Sequence, residues 1–167
     1  MQLDSNTIKT ALYDVKDPEI PTISLVDLGI VTGIEVDAEN NVSVQLTPTF
    51  SGCPALKIME ELVEDRIRKI EGVNHIEVET NFDVQWSTDL ITEEGLKAIK
   101  KHGLAPPVRM SDCSGIGGLQ KLLDEMACPY CNGQNTQLKN TFGPTLCRSI
   151  HYCPDCMQTF EAFKPVG

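Results

Sequence analysis

The sequence predicts an α+β fold, in which a small α/β sandwich, with helices on a short mixed sheet, is followed by a C-terminal β zinc ribbon. Helical and strand patterns alternate through residues 1–104, as expected when helices cover one face of a sheet. Six of the seven cysteines lie between residues 113 and 156. A segment rich in glycine, proline and serine, GLAPPVRMSDCSGIGG at 103–118, separates the two regions.

The chain is therefore predicted to have three parts: an α+β domain at 1–104, a linker at 105–127 and a zinc-ribbon module at 128–167. Its 167 residues and 41% hydrophobic content suffice for one domain and a small module. No apolar run approaches the ~20 residues that a membrane span needs. The start, MQLDSNTIKT, lacks the pattern of a secretory signal. We expect a cytoplasmic protein.

The elements of the first domain follow from periodicity and capping. A first helix carries apolar residues at helical spacing after the cap candidates Ser5 and Asn6, and it ends before Pro18. LGIVTGIEVD and NVSVQLTPT predict two strands joined at AENN, and HIEVETNFDV predicts a third. A long amphipathic helix is expected to begin near Pro54, and TEEGLKAIKKHG predicts a closing helix capped by Thr92.

The C-terminal cysteines form two Cys-x-x-Cys motifs, CPYC and CPDC. The four residues are Cys128, Cys131, Cys153 and Cys156. The 21 residues between the motifs suit two strands and a turn, TQLKNTF and TLCRSIHY around GP, and TFEAF suits a third strand. This is the pattern of a zinc ribbon, in which four thiolates bind one structural zinc ion. An iron–sulfur cluster on the same four sulfurs is the open alternative, because spacing alone does not separate the two metals.

The charge of the chain argues against nucleic acid as a partner. The net charge is −10, which disfavours a polyanion. The module itself is nearly neutral, and it carries a dense set of aromatic residues that could serve as a docking face. These residues are Tyr130, Phe142, Tyr152, Phe160 and Phe163. Cys147 lies in a predicted strand, where it is either a buried small apolar residue or a metal-related one.

The lone cysteine of the first domain lies in TPTFSGCPAL, at the start of the long predicted helix. The free amides and the dipole at a helix N-terminus favour a thiolate at Cys53. The alternative is a buried cysteine that only packs. No His–Asp pattern surrounds Cys53, so a protease-like nucleophile is not predicted.

The loop DPEIPTISLVDLG brings together the carboxylates of Asp17, Glu19 and Asp27. As turn-formers and caps these residues need no further role. Together with a nearby thiolate they could instead bind a soft or borderline metal transiently. The two interpretations are equally compatible with the residues alone.

Several motifs in order along the chain carry a family resemblance. These are DPEIP, DLGIV, TPTFSGCPA, WSTDLIT, GLAPP and CPYC…FGPTLCRSIHYCPDC. The first part resembles the SufT/PaaD-type family of iron–sulfur assembly factors. The cysteine module resembles that of the PaaD-type (PaaJ-type) proteins associated with the phenylacetyl-CoA epoxidase of aerobic phenylacetate degradation.

The resemblance implies an accessory factor that matures iron–sulfur targets and does not itself catalyse epoxidation. The expected client is the reductase component of the epoxidase, which carries a [2Fe–2S] centre, and the oxygenase component is a further expected partner. By the same resemblance Cys53 is a sulfur ligand of a transient cluster or iron, and Asp17 and Glu19 shape that site. A second copy of the chain in a homodimer, Cys113 or the client would supply further ligands, and Cys147 is an additional candidate.

Two other functions are compatible with the sequence. The chain could be a structural adaptor within the multicomponent oxygenase, in which Cys53 only packs. It could also be a thiol oxidoreductase, although two matched Cys-x-x-Cys motifs favour metal binding over redox exchange. No Glu-x-x-His pair of a di-iron bundle and no glycine-rich nucleotide loop is present, which disfavours an oxygenase or reductase.

Overall fold

The computed structural model describes residues 2–112, 117–124 and 126–167. These residues form two compact units, Met1–Trp86 and Ser87–Gly167. The α+β class, with a mixed sheet followed by a C-terminal ribbon, is confirmed. The units divide before the boundary predicted at residue 104, so the helix expected to close the first domain belongs to the second unit. No helix within the described residues combines the length and apolarity that a bilayer crossing needs.

The first unit contains two helices and a three-stranded sheet. Its elements are α1 (Ser5–Leu12), β1 (Val31–Val36), β2 (Val42–Leu46), α2 (Leu56–Ile67) and β3 (Ile76–Thr80). Strand β2 is central, antiparallel to β1 and parallel to β3. The antiparallel pair is closed by a turn in which Asp37 accepts a hydrogen bond from the N–H of Asn41 at 2.9 Å. The parallel pair requires a crossover, and α2 supplies it.

The core of this unit lies between the two helices and the apolar face of the sheet. Alternate residues of β2 are buried, as the polar–apolar alternation predicts. The buried side chains of these elements include Ile8 and Leu12 of α1, Val42, Val44 and Leu46 of β2, and Met59, Val63 and Ile67 of α2. Burial of each such side chain stabilises the fold by roughly 1.5–3 kcal/mol.

The predicted ends of three elements were wrong by a few residues. Helix α1 is capped by Asp4, whose carboxylate accepts the N–H of Thr7 at 2.7 Å, so Ser5 lies inside the helix. Helix α2 begins at Leu56 after the N-cap Ala55, so Pro54 is not in its first turn. Strand β3 ends at Thr80, four residues before the predicted end. Periodicity locates an element, but local hydrogen bonds decide where it stops.

The loops that flank β1 and β2 meet at one end of the first sheet. Val31 at the start of β1 pairs with Leu46 at the end of β2. The loop before β1 and the loop after β2 therefore leave the sheet side by side. The N–H of Thr47 donates to the carbonyl oxygen of Ile30 at 2.8 Å and joins the two loops. The loop that contains DPEIP thus ends, and the loop that contains SGCPA begins, at this end of the sheet.

The segment after β3 lies at the same end of the first sheet, next to the end of β2. The N–H of Asn81 donates to the carbonyl oxygen of Leu46 at 2.8 Å. The single tryptophan, Trp86, is buried, and its Nε1 donates to the carbonyl oxygen of Leu28 at 3.1 Å. The motif DLGIV therefore accepts a hydrogen bond from Trp86, which is the last residue of this unit in the sequence.

The second unit contains a four-stranded sheet with the order β4-β7-β6-β5. Its elements are α3 (Glu93–Lys101), β4 (Leu104–Ala105), α4 (Gly118–Asp124), β5 (Gln137–Asn140), β6 (Arg148–Cys153) and β7 (Gln158–Phe163), with single 3-10 turns at Thr88–Leu90 and Met110–Asp112. Thr92 caps α3 by accepting the N–H of Gly95, and Gly103 ends it at φ +94°, as predicted. The three ribbon strands overlap the predicted segments, but β6 begins at Arg148, so Cys147 precedes the strand in which it was predicted. Strand β4 pairs in parallel with β7, so the ribbon sheet begins directly after α3.

Candidate metal centre and thiol site

The four cysteines of the two Cys-x-x-Cys motifs converge in the second unit. Cys128 and Cys131 lie in the turns before β5, Cys153 ends β6, and Cys156 lies in the turn before β7. The sulfur atoms of Cys128 and Cys156 are 3.7 Å apart, and those of Cys131 and Cys153 are 3.6 Å apart. All four sulfur atoms lie within 4.8 Å of one another.

This spacing fits a single tetrahedral ion. Four thiolates about 2.3 Å from one ion lie about 3.8 Å from each other, close to the separations observed here. An iron–sulfur cluster distributes its thiolates over several irons and therefore requires wider spacing of the sulfurs. The donor set of four thiolates suits a soft or borderline metal ion. The residues are thus arranged to bind a metal ion.

The thiols of this cluster do not ionise independently of each other. Burial raises the pKa of Cys128, but hydrogen bonds from the amides of Cys131 and Tyr130 and from neighbouring thiols bring it down to about 7. Burial and the neighbouring sulfurs raise the pKa of Cys156 to about 12. One thiolate forms readily and opposes the formation of others beside it. A bound cation would offset this repulsion, which is why metal binding and deprotonation occur together.

The first motif is shaped by close backbone contacts. The N–H of Gly133 donates to the sulfur of Cys131 at 3.3 Å, and the N–H of Cys128 donates to the carbonyl oxygen of Gly133 at 2.9 Å. A Cβ atom at Gly133 would lie 3.1 Å from the Cys131 sulfur and 2.6 Å from Oδ2 of Asp155. Glycine at this position therefore allows the second motif to approach the first.

A small apolar cluster lies behind the sulfur site. It contains Ala105, Met126, Cys128, Cys153, Phe160 and Ala162, with Cys156 packed against it. The inner face of β6 also carries two buried polar residues that were not predicted as important. His151 Nε2 lies 2.8 Å from Oγ of Ser149, and the imidazole stacks on Phe160 at a ring-centroid distance of 5.4 Å. Strand alternation in SIHYC, which places both residues on the same face as Cys153, is the signal that could have identified them.

The thiol of Cys53 lies in a turn ahead of α2 and is half-buried. The N–H of Cys53 donates to the carbonyl oxygen of Phe50 at 3.3 Å, and the carbonyl oxygen of Cys53 accepts the N–H of Leu56 at 3.4 Å. Cys53 precedes the N-cap Ala55 by two residues. The predicted place at the N-terminal end of the long helix is thus correct, although the helix itself begins later than expected.

The carboxylate of Asp17 is built into a turn. Asp17 is buried, and its Oδ1 accepts the N–H groups of Glu19 and Ile20, both at 2.8 Å. Asp27 has a similar local role, because its Oδ2 accepts the hydroxyl of Ser24 at 2.6 Å. The turn-forming interpretation of these acids is therefore observed. A role of Asp17 or Glu19 in handling iron stays a prediction.

The residues proposed for iron handling do not form a ready-made metal site. Within residues 2–112, 117–124 and 126–167, the only group of three or more cysteine, histidine or acidic side chains close enough to bind one ion is the four-cysteine cluster. Cys53, Asp17 and Glu19 are not a second such group. Their assignment stays a prediction, and it requires ligands from elsewhere.

Of the two additional candidate ligands, Cys113 and Cys147, the structure describes only Cys147. Cys113 lies outside the described residues. Cys147 directly precedes β6 and is half-buried, with its sulfur 3.1 Å from Oγ1 of Thr145. It is not one of the four residues of the cluster. A metal-related role of Cys147 therefore stays a prediction.

Comparison with known proteins connects both halves of the chain to one family. Residues 5–80 match the family of iron–sulfur cluster assembly proteins, and residues 117–164 match the PaaD zinc beta ribbon domain. A protein of Escherichia coli (strain K12), provisionally named as a component of 1,2-phenylacetyl-CoA epoxidase, is 31% identical over 153 residues, which cover 92% of this chain and 88% of that protein. The chain belongs to the PaaD-type family. The resemblance predicted from its motifs is confirmed.

The first half has relatives without the ribbon. A protein of Porphyromonas gingivalis named as an Fe-S protein maturation auxiliary factor is 33% identical to this PaaD-type chain, with 51% of this chain and 80% of that protein covered. The solved DUF59 domain of Bacillus anthracis has a TM-score of 0.54 and 28% identity, covering 57% of this chain and 90% of its own. A conserved hypothetical protein of Thermotoga maritima has a TM-score of 0.51 and 35% identity, covering 57% and 93%. The α+β fold of the family is thus seen alone in other proteins.

Proposed function

We propose that the chain is an accessory factor that matures the iron–sulfur centre of a phenylacetyl-CoA epoxidase system, serving its [2Fe–2S] reductase component, and that it does not catalyse epoxidation. The observation that carries the proposal is the match over 92% of the chain to the E. coli protein named for that epoxidase. The relatives of the first half that are named as Fe-S maturation factors support the same role.

In this proposal Cys53 supplies a thiolate to iron or to a cluster that is carried as cargo. The turn before α2 leaves the thiol half-buried, so that it is partly accessible to a partner. Free amides at the start of a helix stabilise negative charge on sulfur. One thiolate is too few to retain a cluster, so the remaining ligands come from the client or from a second copy of the chain. Such incomplete ligation suits a carrier that must release its cargo.

The ribbon binds zinc, and the ion has a structural role. Four thiolates at tetrahedral spacing leave no open position for substrate, which is the pattern of structural zinc sites. The apolar cluster behind the site is small, and modules of about 40 residues seldom fold without a metal or disulfides. The ion therefore holds the ribbon together, and the cargo is bound elsewhere.

The proposal is tested by purifying the wild-type chain and the Cys53→Ala variant without oxygen, and by measuring zinc, iron and acid-labile sulfide. Each preparation is then added to reductase that lacks its cluster, and the recovery of electron transfer is followed. We expect one zinc per chain in both proteins, and iron transfer only with the wild type. Cys147→Ala is the matched control, because this half-buried cysteine lies outside the four-cysteine cluster.

Two results would contradict parts of this function. If Cys53→Ala activates the reductase as well as the wild type does, the chain is an adaptor and Cys53 only packs. If Cys128→Ser keeps its full zinc content, the assignment of zinc to the ribbon is wrong. Neither result depends on the other, because the two cysteines lie in different compact units.

A further inference from the structure

The loop between β5 and β6 exposes two large apolar side chains. Phe142 is 63% exposed and Leu146 is 58% exposed. We call residues 141–147 the hairpin tip. Of the five aromatic residues predicted to form a docking face, Phe160 and Phe163 are buried in the unit. The exposed apolar surface of the ribbon is therefore narrower than the sequence suggested.

The hairpin tip is held in one shape by its backbone. The N–H of Phe142 donates to Oδ1 of Asn140 at 3.0 Å, and the N–H of Gly143 donates to the carbonyl oxygen of Arg148 at 2.9 Å. A Cβ atom at Gly143 would lie 3.1 Å from that same oxygen. These contacts close the loop without using the side chains of Phe142 and Leu146, which are left exposed. A loop that is already ordered loses less conformational entropy when it binds a partner.

Two lysine side chains lie on aromatic rings of the ribbon, one of them on Phe142 of the tip. Lys164 Nζ lies 4.8 Å from the ring centroid of Phe142, and Lys139 Nζ lies 5.4 Å from that of Tyr152. Residues 134–153 contain no aspartate or glutamate. The nearby Arg148 is in an ion pair with Glu161 at 2.9 Å. Lys164 therefore places a positive charge beside Phe142, and Lys139 on β5 adds a second one two residues before the tip.

This local charge is opposite to that of the rest of the chain. Residues 1–86 contain 16 acidic and 6 basic residues, whereas residues 87–167 contain 8 of each. A positive, apolar tip on an acidic protein favours a partner whose contact surface is acidic.

We propose that the hairpin tip docks into an acidic surface of the client protein, with Phe142 and Leu146 entering an apolar recess and Lys139 and Lys164 facing carboxylates at its rim. The choice of client rests on the proposed function, and the partner is thus the reductase component. In this arrangement the ribbon holds the client, and the other unit supplies the thiol.

The test measures binding of the zinc-loaded full-length chain to immobilised, purified reductase. For the wild type we expect affinity to fall as NaCl is raised from about 50 to about 300 mM, because exposed charges are screened. Phe142→Ser with Leu146→Ser should weaken binding by about tenfold or more at either salt concentration. Lys139→Glu with Lys164→Glu should weaken it most at low salt. Unchanged zinc content and circular dichroism show that each variant is folded.

Matched controls remove an exposed apolar side chain and reverse an exposed positive charge outside the hairpin tip. Tyr13→Ser removes a large side chain that is 40% exposed at the end of α1, and Lys9→Glu reverses an exposed charge on the same helix, away in sequence from Cys53. Both should bind like the wild type. If the tip variants bind as tightly as these controls, or if the wild type does not bind reductase at all, the docking proposal is overturned.

Three further results distinguish this proposal from a contact between copies of the chain and from the proposed maturation function. If the tip variants change the oligomeric state in sedimentation but not reductase binding, the tip is a contact between copies of the chain and the proposal is wrong. If the chain binds reductase through the tip but never activates it, docking stands and the maturation function fails. If Cys53→Ala binds normally and fails to activate, both proposals are supported.

Discussion

At the scale of single residues, the structure shows that the cysteines have different environments. Four of them converge at tetrahedral spacing, whereas Cys53 lies in a turn of the other compact unit and Cys147 contacts a threonine hydroxyl. The difference arises from what surrounds each sulfur. Burial and the neighbouring thiols raise the pKa of Cys156 to about 12, whereas hydrogen bonds from backbone amides and thiols lower that of Cys128 to about 7 against the effect of burial.

Gly133 is the residue at which the sulfur site tolerates least change. In Gly133→Ala the new Cβ would lie 3.1 Å from the Cys131 sulfur, so that this ligand must move. We expect the dissociation constant for zinc to rise about tenfold, which corresponds to about 1.4 kcal/mol. Competition with a chromophoric chelator measures this change.

The control for this prediction is Asp155→Ala combined with Gly133→Ala. The Asp155 carboxylate is exposed and would lie 2.6 Å from the new Cβ, but it can turn away. The double variant should therefore bind zinc as weakly as the single variant does. Recovery of affinity in the double variant would show that the carboxylate, and not the ligand sulfur, is the obstacle.

At the scale of secondary-structure elements, prediction was best where the signal was local. The ribbon strands follow from the spacing of two short motifs, and the ends of α3 follow from Thr92 and Gly103. The start of α2 was predicted two residues too early, because backbone hydrogen bonds from Cys53 to Phe50 and from Leu56 to Cys53 form turns before the helix. Prediction failed to separate exposed Phe142 from buried Phe160, since that depends on which face of the sheet is covered.

The β1–β2 hairpin has an expected dependence on pH. The amide and side chain of Asn41 donate to the Asp37 carboxylate and hold its pKa below the usual 3.8. Because the folded pKa is the lower one, this stabilisation is complete above pH 3.8 and is lost as the pH falls through the folded pKa. The free energy of unfolding of wild type should therefore fall more steeply below about pH 4 than that of Asp37→Asn.

Urea unfolding at several pH values provides this comparison. The control is Asp83→Asn, which also removes an exposed carboxylate. Asn41 donates its hydrogen bonds to Asp37 and not to Asp83. If Asp37→Asn and the wild type lose stability in parallel between pH 5 and about pH 2, the carboxylate does not stabilise the turn in the way proposed.

At the scale of the whole molecule, the chain consists of two compact units with different means of stabilisation. The first is built around apolar side chains from two helices and a sheet, and the second includes a small cluster next to four thiols. Sequence motifs predicted both kinds of fold. The motifs did not show that α3 and β4 belong to the second unit. Strand β4 joins that unit by pairing with β7, and the pair is only two residues long.

Removal of the metal should therefore affect the two units unequally. After treatment with a strong chelator, we expect amide hydrogen exchange to accelerate in residues 126–164 and to remain slow in the helices and strands of residues 5–80. Cys128→Ser should reproduce the effect without chelator, and Cys147→Ser should not. Equal acceleration in both regions would show that the units do not unfold separately.

The short strand β4 determines where the gene can safely be divided. Leu104 and Ala105 follow α3 and lie opposite Glu161 and Ala162 of β7 in the parallel pair, near the end of the chain. A fragment that begins at residue 105, as motif spacing would suggest, loses Leu104 and all of α3 from the second unit. A fragment that begins at residue 87 keeps this pairing intact. Expression of the ribbon by itself is therefore best attempted from the earlier position.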